Sequence, residues 1–296
     1  MGLIRRTLGG AALAAAGCVA YGTVVERRWY RLQRLTVPGV LRRPGRLRIL
    51  HVTDLHLVPG QDHRIDFLRE LRGLQHDLVV ATGDLLGAPD AEDLTADALA
   101  PLARRAPGLA VLGSNDFFGP VLKSPLAYFL EPQRRTTGVP LDTDRLVDRL
   151  AFHGYRTLRG EAAIIDTVAG PIAVGGFDDP HLDPTSLPDP RVVTPPDADD
   201  VLLSVGLVHA PYLGALDVLT EAGHDLLLAG HTHGGQVRLP GVGALTANCD
   251  LPLKQARGLS THRGRMLHVS AGLGHSRYAP FRFACRPEAT LLELTG

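Results

Sequence analysis

Near its C-terminal end the chain reads Gly230-His231-Thr232-His233. Two imidazoles at i and i+2 can reach separate, neighbouring metal ions. Upstream lie Asp54-Leu55-His56, Gly83-Asp84, Gly113-Ser114-Asn115-Asp116 and His209. Each run follows an apolar, β-branched stretch, over residues 47–52, 78–80, 109–112, 205–208 and 226–229. A buried strand ending in a ligand-type residue, repeated five times, describes a two-metal site assembled where strands stop. Asp54 and His56 can hold one ion together, because the strand ends and both side chains turn to one point. Asp84 has two oxygens and can bridge two cations. Asn115 offers a neutral amide oxygen. Mixed nitrogen and oxygen donors suit Mn, Fe, Zn or Co better than Mg or Ca, which favour all-oxygen shells. Two such ions ~3.5–4 Å apart clamp a phosphoryl group for in-line attack. A single histidine of this kind is more often a packed core residue. His231 and His233 together with Asp54, His56 and Asp84 are what point to metal.

The elements that must position these residues alternate along the chain. Apolar periodicity predicts strands over 47–52, 77–81, 109–112, 201–208 and 225–229, and helices over 62–74, 91–105, 144–152 and 211–222. Residues 157–176 read as antiparallel strands around Ala169-Gly170-Pro171, and 266–270 and 289–294 as closing strands. Alternation with antiparallel hairpins implies an α/β fold with mixed sheets. The Pro- and Asp-rich stretch 178–200 reads as a surface loop.

Composition sets the outer bounds. The 296 residues are 45% hydrophobic and 21% charged, enough for a sizeable core. With 31 basic and 31 acidic residues, formal net charge is zero, and no nucleic-acid partner is expected. Cys18, Cys249 and Cys285 have neither metal spacing nor the makings of a disulfide framework. The first forty residues differ from the rest. Arg5-Arg6 precedes an uncharged Ala- and Gly-rich stretch, residues 8–25, followed by Glu26-Arg27-Arg28. That is just long enough to cross a bilayer as a helix, and it also resembles a signal peptide, with Arg5-Arg6 open to a twin-arginine reading. Residues 1–40 are therefore expected to be a signal or membrane-anchor segment with its linker, and 46–296 the folded domain. The bland alternative is an Ala-rich helix of the domain itself. Arg27, Arg28, Arg31 and Arg34 on the C-terminal flank outnumber Arg5 and Arg6, which argues for a cytoplasmic domain if the helix is uncleaved, whereas a twin-arginine signal argues for export, so the side of the membrane stays open.

As a set, Asp54-Leu55-His56, Gly83-Asp84, His209 and Gly230-His231-Thr232-His233 resemble the calcineurin-like metallophosphoesterase superfamily. The run from Ala229 to Pro240, the tail Val269–Gly274, Pro280-Phe281-Arg282-Phe283 and Arg286-Pro287-Glu288 resemble its bacterial membrane-associated branch of the YkuE/YaeI type. The resemblance covers roughly residues 46 to 296. It implies a four-layer α/β/β/α sandwich, two mixed sheets face to face with helices outside. It also implies two divalent transition metal ions. Asp54, His56 and His233 would hold the first, Asp84 would bridge, and Asn115, His209 and His231 would hold the second. The implied activity is hydrolysis of a phosphodiester or pyrophosphate bond by a metal-bridging hydroxide, on a phosphate-containing small molecule or lipid such as a nucleotide-linked lipid. Asp54, Asp84, Asn115 and His231 would serve the chemistry through the metals. A metal-site scaffold with little turnover is the alternative from another class.

The third motif departs from the family pattern Gly-Asn-His-Asp, in which the Asn binds metal and the His sits over the leaving group. Aligned without a gap, Ser114 takes the ligand position; shifted by one, Asn115 does. An amide oxygen is the better donor, which favours Asn115. The usual His is absent in either alignment, so protonation of the leaving group would fall to a substitute such as His181 or His275, or to Asp116. Gly234-Gly235 permits close backbone approach. Arg238 and Arg277 are candidate phosphate partners, with ordinary surface arginines as the default. Phe117-Phe118 would line an apolar slot or simply pack beneath a loop.

Overall fold

The computed structural model describes residues 13–60, 62–121, 138–196, 200–275 and 278–296. Its strands in chain order are β1 (Arg31–Val37), β2 (Arg46–Val52), β3 (Leu78–Thr82), β4 (Gly108–Val111), β5 (Tyr155–Thr157), β6 (Glu161–Thr167) and β7 (Gly170–Gly176). There follow β8 (Ser204–Leu207), β9 (Leu226–Ala229), β10 (Arg238–Leu239), β11 (Gly243–Ala244), β12 (Gly258–His262), β13 (Arg265–Val269) and β14 (Glu288–Thr295). They form two six-stranded sheets, ordered β1-β14-β2-β3-β4-β5 and β12-β13-β9-β8-β7-β6, and a small β10-β11 ribbon. Both large sheets are mixed. The first has parallel pairs except for β14 against β2; in the second, β6 and β12 run antiparallel to their neighbours.

Strand alternation explains the layering, because successive side chains point to opposite faces. Leu47, Ile49, Leu78, Val80, Leu109 and Val111 of the first sheet meet Ile172, Val174, Val205, Leu207, Leu226 and Leu228 of the second. The residues one step along face outward. Leu50, Val52, Val79, Ala81 and Ala110 pack against the helices Asp62–Leu71, Glu92–Leu99 and Thr143–Phe152. Leu227, Ala229, Leu267 and Val269 pack against the helix Leu213–Glu221. The result is the expected sandwich, helix, sheet, sheet, helix. It brings the C-terminal ends of the parallel strands of both sheets to one rim, where open α/β sheets bind ligands.

Two features of the sequence reading need correction. The first is the domain border after residue 40. β1 lies ahead of it, inside the stretch assigned to the anchor and linker, and pairs residue for residue with β14 from Arg31–Glu288 to Val37–Leu294. Glu26, also ahead of it, is buried and accepts the backbone amides of Ala284 (2.9 Å) and Cys285 (2.6 Å). Strand pairing with residues 257 positions away leaves no local mark in Arg31-Leu32-Gln33-Arg34. The second is the loop 178–200, which turns inward at its start: Asp179 and His181 are buried. The stretch 8–25 lies partly outside the described residues. Among the described residues, no helix is long and apolar enough to cross a membrane.

A buried histidine far from the rim ties helix to sheet. His224 bonds Ser204 Oγ through Nδ1 (2.8 Å) and the Val193 carbonyl through Nε2 (3.0 Å). Burial pushes it down to about 4. Unfolded, the ring takes up a proton near pH 6.5; folded, it refuses one until about pH 4. Its contribution is therefore complete above pH 6.5 and lost as pH falls toward 4, by up to about 3 kcal/mol. The urea midpoint of His224→Gln should fall less steeply between pH 7 and 5 than that of the parent. Equal slopes would show that His224 is not the group being titrated.

Candidate metal centre

Asp54, Asp84, His209 and His231 each stand two residues past the end of a strand, β2, β3, β8 and β9 respectively. Asp54, His56, Asp84, His231 and His233 all have positive φ, between 42° and 68°. That left-handed conformation is uncommon outside glycine, and it clusters at functional sites. Here it reverses the chain just after each strand and swings the side chain inward over the sheet rim. The neighbouring backbone must come close. A Cβ on Gly83, itself at φ +82°, would lie 2.8 Å from His209 Nδ1.

The side chains converge, almost wholly withdrawn from solvent. Donor atoms of Asp54, His56 and His233 lie within 4.8 Å of one another, as do those of Asp54, Asp84 and His209, and those of Asp179, His209 and His231. His56 Nε2 faces His233 Nε2 at 3.2 Å, and His233 Nε2 is 3.4 Å from Asp54 Oδ1. Asp84 Oδ2 sits between His56 Nε2 (3.5 Å) and His209 Nε2 (3.4 Å). Asn115 donates its backbone amide to Asp84 Oδ1 (2.8 Å) and its side-chain amide to Asp84 Oδ2 (2.7 Å).

The electrostatics call for positive charge. Burial raises Asp54 to about 7, assisted by Asp84 and opposed by His209. Burial also opposes charge on Asp84 and on His209. Their mutual attraction outweighs it, holding the carboxyl well below and the imidazole well above the usual range. Burial pushes His56 down to about 4 and His233 well below its ordinary value, so both rings are neutral. A divalent ion would supply at these carboxylates the positive charge that a proton on His209 otherwise brings. The fit is specific. His209 Nδ1 bonds the Thr82 carbonyl at 2.6 Å, which places its hydrogen there and turns Nε2 toward the carboxylates. Buried Nε2 has no hydrogen-bond partner. An imidazole oriented this way by a backbone carbonyl is how histidine presents itself to a metal.

Of the seven expected ligands, the structure gathers Asp54, His56, Asp84, His209, His231 and His233, with Asn115 against Asp84. Asp116 has different work from proton transfer. Its carboxylate, buried and raised by desolvation to about 7, accepts the amides of Leu85, Leu86 and Gly113. It clasps the loop carrying Asp84 to the third motif. His181 does reach the site: its ring centroid is 4.6 Å from that of His231, and Nδ1 bonds the Tyr212 hydroxyl at 2.9 Å. His275 meets Arg27 at 3.4 Å. Arg238 donates to the Gly234 carbonyl and so braces the His233 turn, where Gly234 and Gly235 both have positive φ. Phe117 packs on the first-sheet helices with Arg159 over its ring. Arg277 lies outside the described residues.

Three residues escaped the sequence reading. Asp179 follows β7 by three residues and thus repeats the strand-end pattern, but the Pro and Asp around it signalled a loop. Arg64 is buried and donates to the carbonyls of Leu55 and His56. Arg282 is fully buried and donates to the carbonyls of Ala271, Gly272, Gly274 and Cys285, beside His233. Arg64 thus holds the turn bearing His56, and Arg282 holds the 271–274 loop while meeting the His233 ring at Nδ1 (3.3 Å). The only sign of Arg282 in the sequence is its place between Phe281 and Phe283.

A two-sheet α/β sandwich with a rim of buried carboxylates and imidazoles defines a metal-dependent hydrolase of the phosphoesterase class. Consistent with that, the family description "Calcineurin-like phosphoesterase" matches residues 47–235, and the chain belongs to this family. It is 28% identical to phosphodiesterase YaeI of Escherichia coli K12 over 297 residues, 96% of this chain and 95% of the relative. It is 29% identical to the uncharacterized metallophosphoesterase YkuE of Bacillus subtilis 168 over 299 residues, 97% and 93% of the two chains. The uncharacterized metallophosphoesterase YkoQ of the same strain is 28% identical over 253 residues, 84% of each.

Proposed function

We propose that the chain hydrolyses a phosphodiester or pyrophosphate bond with two divalent ions at the strand rim. The observation that carries this reading is the buried Nε2 of His209, turned by the Thr82 carbonyl toward Asp84 (3.4 Å) and Asp54 (4.0 Å). Asp54, His56 and His233 would hold one ion, Asp84 would be shared, and His209 and His231 would hold the other with an oxygen donor. When bound, the ions would activate a water for attack on phosphorus and offset charge on the phosphoryl oxygens. Arg64, Arg282 and Asp116 keep the ligand turns in place. His181, whose ring lies 4.6 Å from that of His231, is the first residue to test should the leaving oxygen prove to receive a proton from the protein. A nucleotide-linked lipid is the substrate this reading favours. The exposed Leu13, Val19, Val24 and Val25 support membrane attachment through the N-terminal segment; flotation with phospholipid vesicles, lost on removal of residues 1–18, tests that.

The activity test uses aryl and alkyl phosphodiesters and a dinucleoside pyrophosphate with Mn²⁺, and a chelator as control. Chelation should stop turnover. Activity indifferent to thorough metal removal would end the two-metal reading, and a protein that loads two ions yet turns over nothing would favour the scaffold. Because the third motif lacks its histidine, rates should climb steeply as the leaving group becomes more acidic, by about tenfold or more from alkyl to aryl esters. A flat series, with chemistry rate-limiting, would place the proton on His181, and His181→Ala should then restore the slope.

A further inference from the structure

We propose that Asp179 supplies the oxygen ligand of the second metal position, in place of the third-motif amide. This rests on the two-metal reading above. Three observations carry it. A carboxylate oxygen of Asp179 lies within 4.8 Å of ligand nitrogens of both His209 and His231, and these three form a donor group of their own. His209 Nε2 is buried in that group and turned toward the carboxylates by the Nδ1 bond to the Thr82 carbonyl. Asn115 meanwhile donates its side-chain NH2 to Asp84 at 2.7 Å and so positions the shared carboxylate, whereas an Asp179 oxygen stands with both imidazoles of the second position.

The placement of Asp179 fits the exchange. Its Oδ2 accepts the backbone amide of Ser114 at 2.7 Å, so the carboxylate sits at the residue that a gapless alignment puts in the ligand position. Ser114 brings only a weak hydroxyl donor there; a carboxylate delivered from the neighbouring loop makes good the loss. Oδ1 accepts the amide of His181 at 2.9 Å. Two amides from two loops fix the orientation, and each oxygen keeps a lone pair for an ion. Asp179 is only 3% exposed, and a buried carboxylate facing two imidazoles needs a cation. The exchange also changes charge: a neutral amide gives way to an anion, lowering the site's net positive charge by one unit.

The test loads the full-length protein with Mn²⁺, counts bound ions by equilibrium dialysis and elemental analysis, and reads their proximity by electron paramagnetic resonance. The parent should hold two ions with a spin-coupled spectrum. Asp179→Ala removes both oxygens. It should weaken the second ion by more than the ~10–100-fold typical of losing an outer partner and leave an uncoupled, single-ion spectrum. Ser114→Asn combined with Asp179→Ala restores the family's amide and should recover the coupled pair. Two coupled ions in Asp179→Ala, at parental affinity, would overturn the role of Asp179 and leave the two-metal reading standing. One ion in the parent itself would overturn both. Should Asp179→Ala fold poorly, Asp179→Glu decides: a ligand role predicts a coupled pair of altered affinity, and parental affinity counts against it.

Discussion

Asp84→Ala should remove at least one ion and slow phosphodiester hydrolysis by about three orders of magnitude or more. The expectation comes from position. Asp84 Oδ2 stands 3.5 Å from His56 Nε2 on one side and 3.4 Å from His209 Nε2 on the other. Asn115 donates to this carboxylate through both its backbone and its side-chain amide and keeps it in place. Truncation takes from both positions the ligand they would share and leaves the buried His209 facing Asp54 across 4.0 Å. Metal content and turnover should fall together, while the melting temperature of the metal-free protein shows that the fold persists. A variant with two ions and near-parental turnover would remove Asp84 from the centre of the scheme.

The second large effect concerns the N-terminal residues. Deleting 1–40 should lower the melting temperature by about 10 °C or more, whereas deleting 1–18 should leave it nearly unchanged. The longer deletion strips β1 from β14 and takes away Glu26. It also takes Gly22, whose carbonyl accepts the Arg282 amide, and Trp29, over which Arg286 lies at 4.0 Å. A charge-assisted hydrogen bond contributes about 1.5–3 kcal/mol, and Glu26 alone makes two. Each kcal/mol moves the melting point of a chain this size by about 2–4 °C. The loss should also reach the metal centre. The loop tethered by Glu26 carries Arg282, which grips the carbonyls beside His233, and Gly274 in turn bonds the Asp54 carbonyl. The first-site ion should therefore bind more weakly. Indistinguishable melting curves and metal content for the two deletions would mean that the tether is incidental.

What the sequence determined on its own is what local pattern can carry. An apolar run of four to six residues that breaks at Asp or His is readable because strand and ligand are neighbours in the chain. β2, β3, β4, β8 and β9 and six of the residues that converge at the rim followed from it. The period of two along those strands also contained the layering, since it assigns Ile49 to one face and Leu50 to the other. Three things were settled only by tertiary structure. The direction of Asp54, His56, Asp84, His231 and His233 depends on a positive φ at each, which no propensity of Asp or His prescribes; close packing accompanies it, with Gly272 and Gly274 against Asp54, Gly113 against Asp84 and Gly87 against His56. The membership of β1 depends on β14, more than two hundred residues away, and a polar edge strand carries no apolar alternation to announce itself. The inward course of Asp179 and the burial of Arg282 depend on carbonyls and amides from loops distant in sequence. Unpaired buried polar groups cost too much free energy to remain alone, so the folded surroundings decide where these charged side chains go.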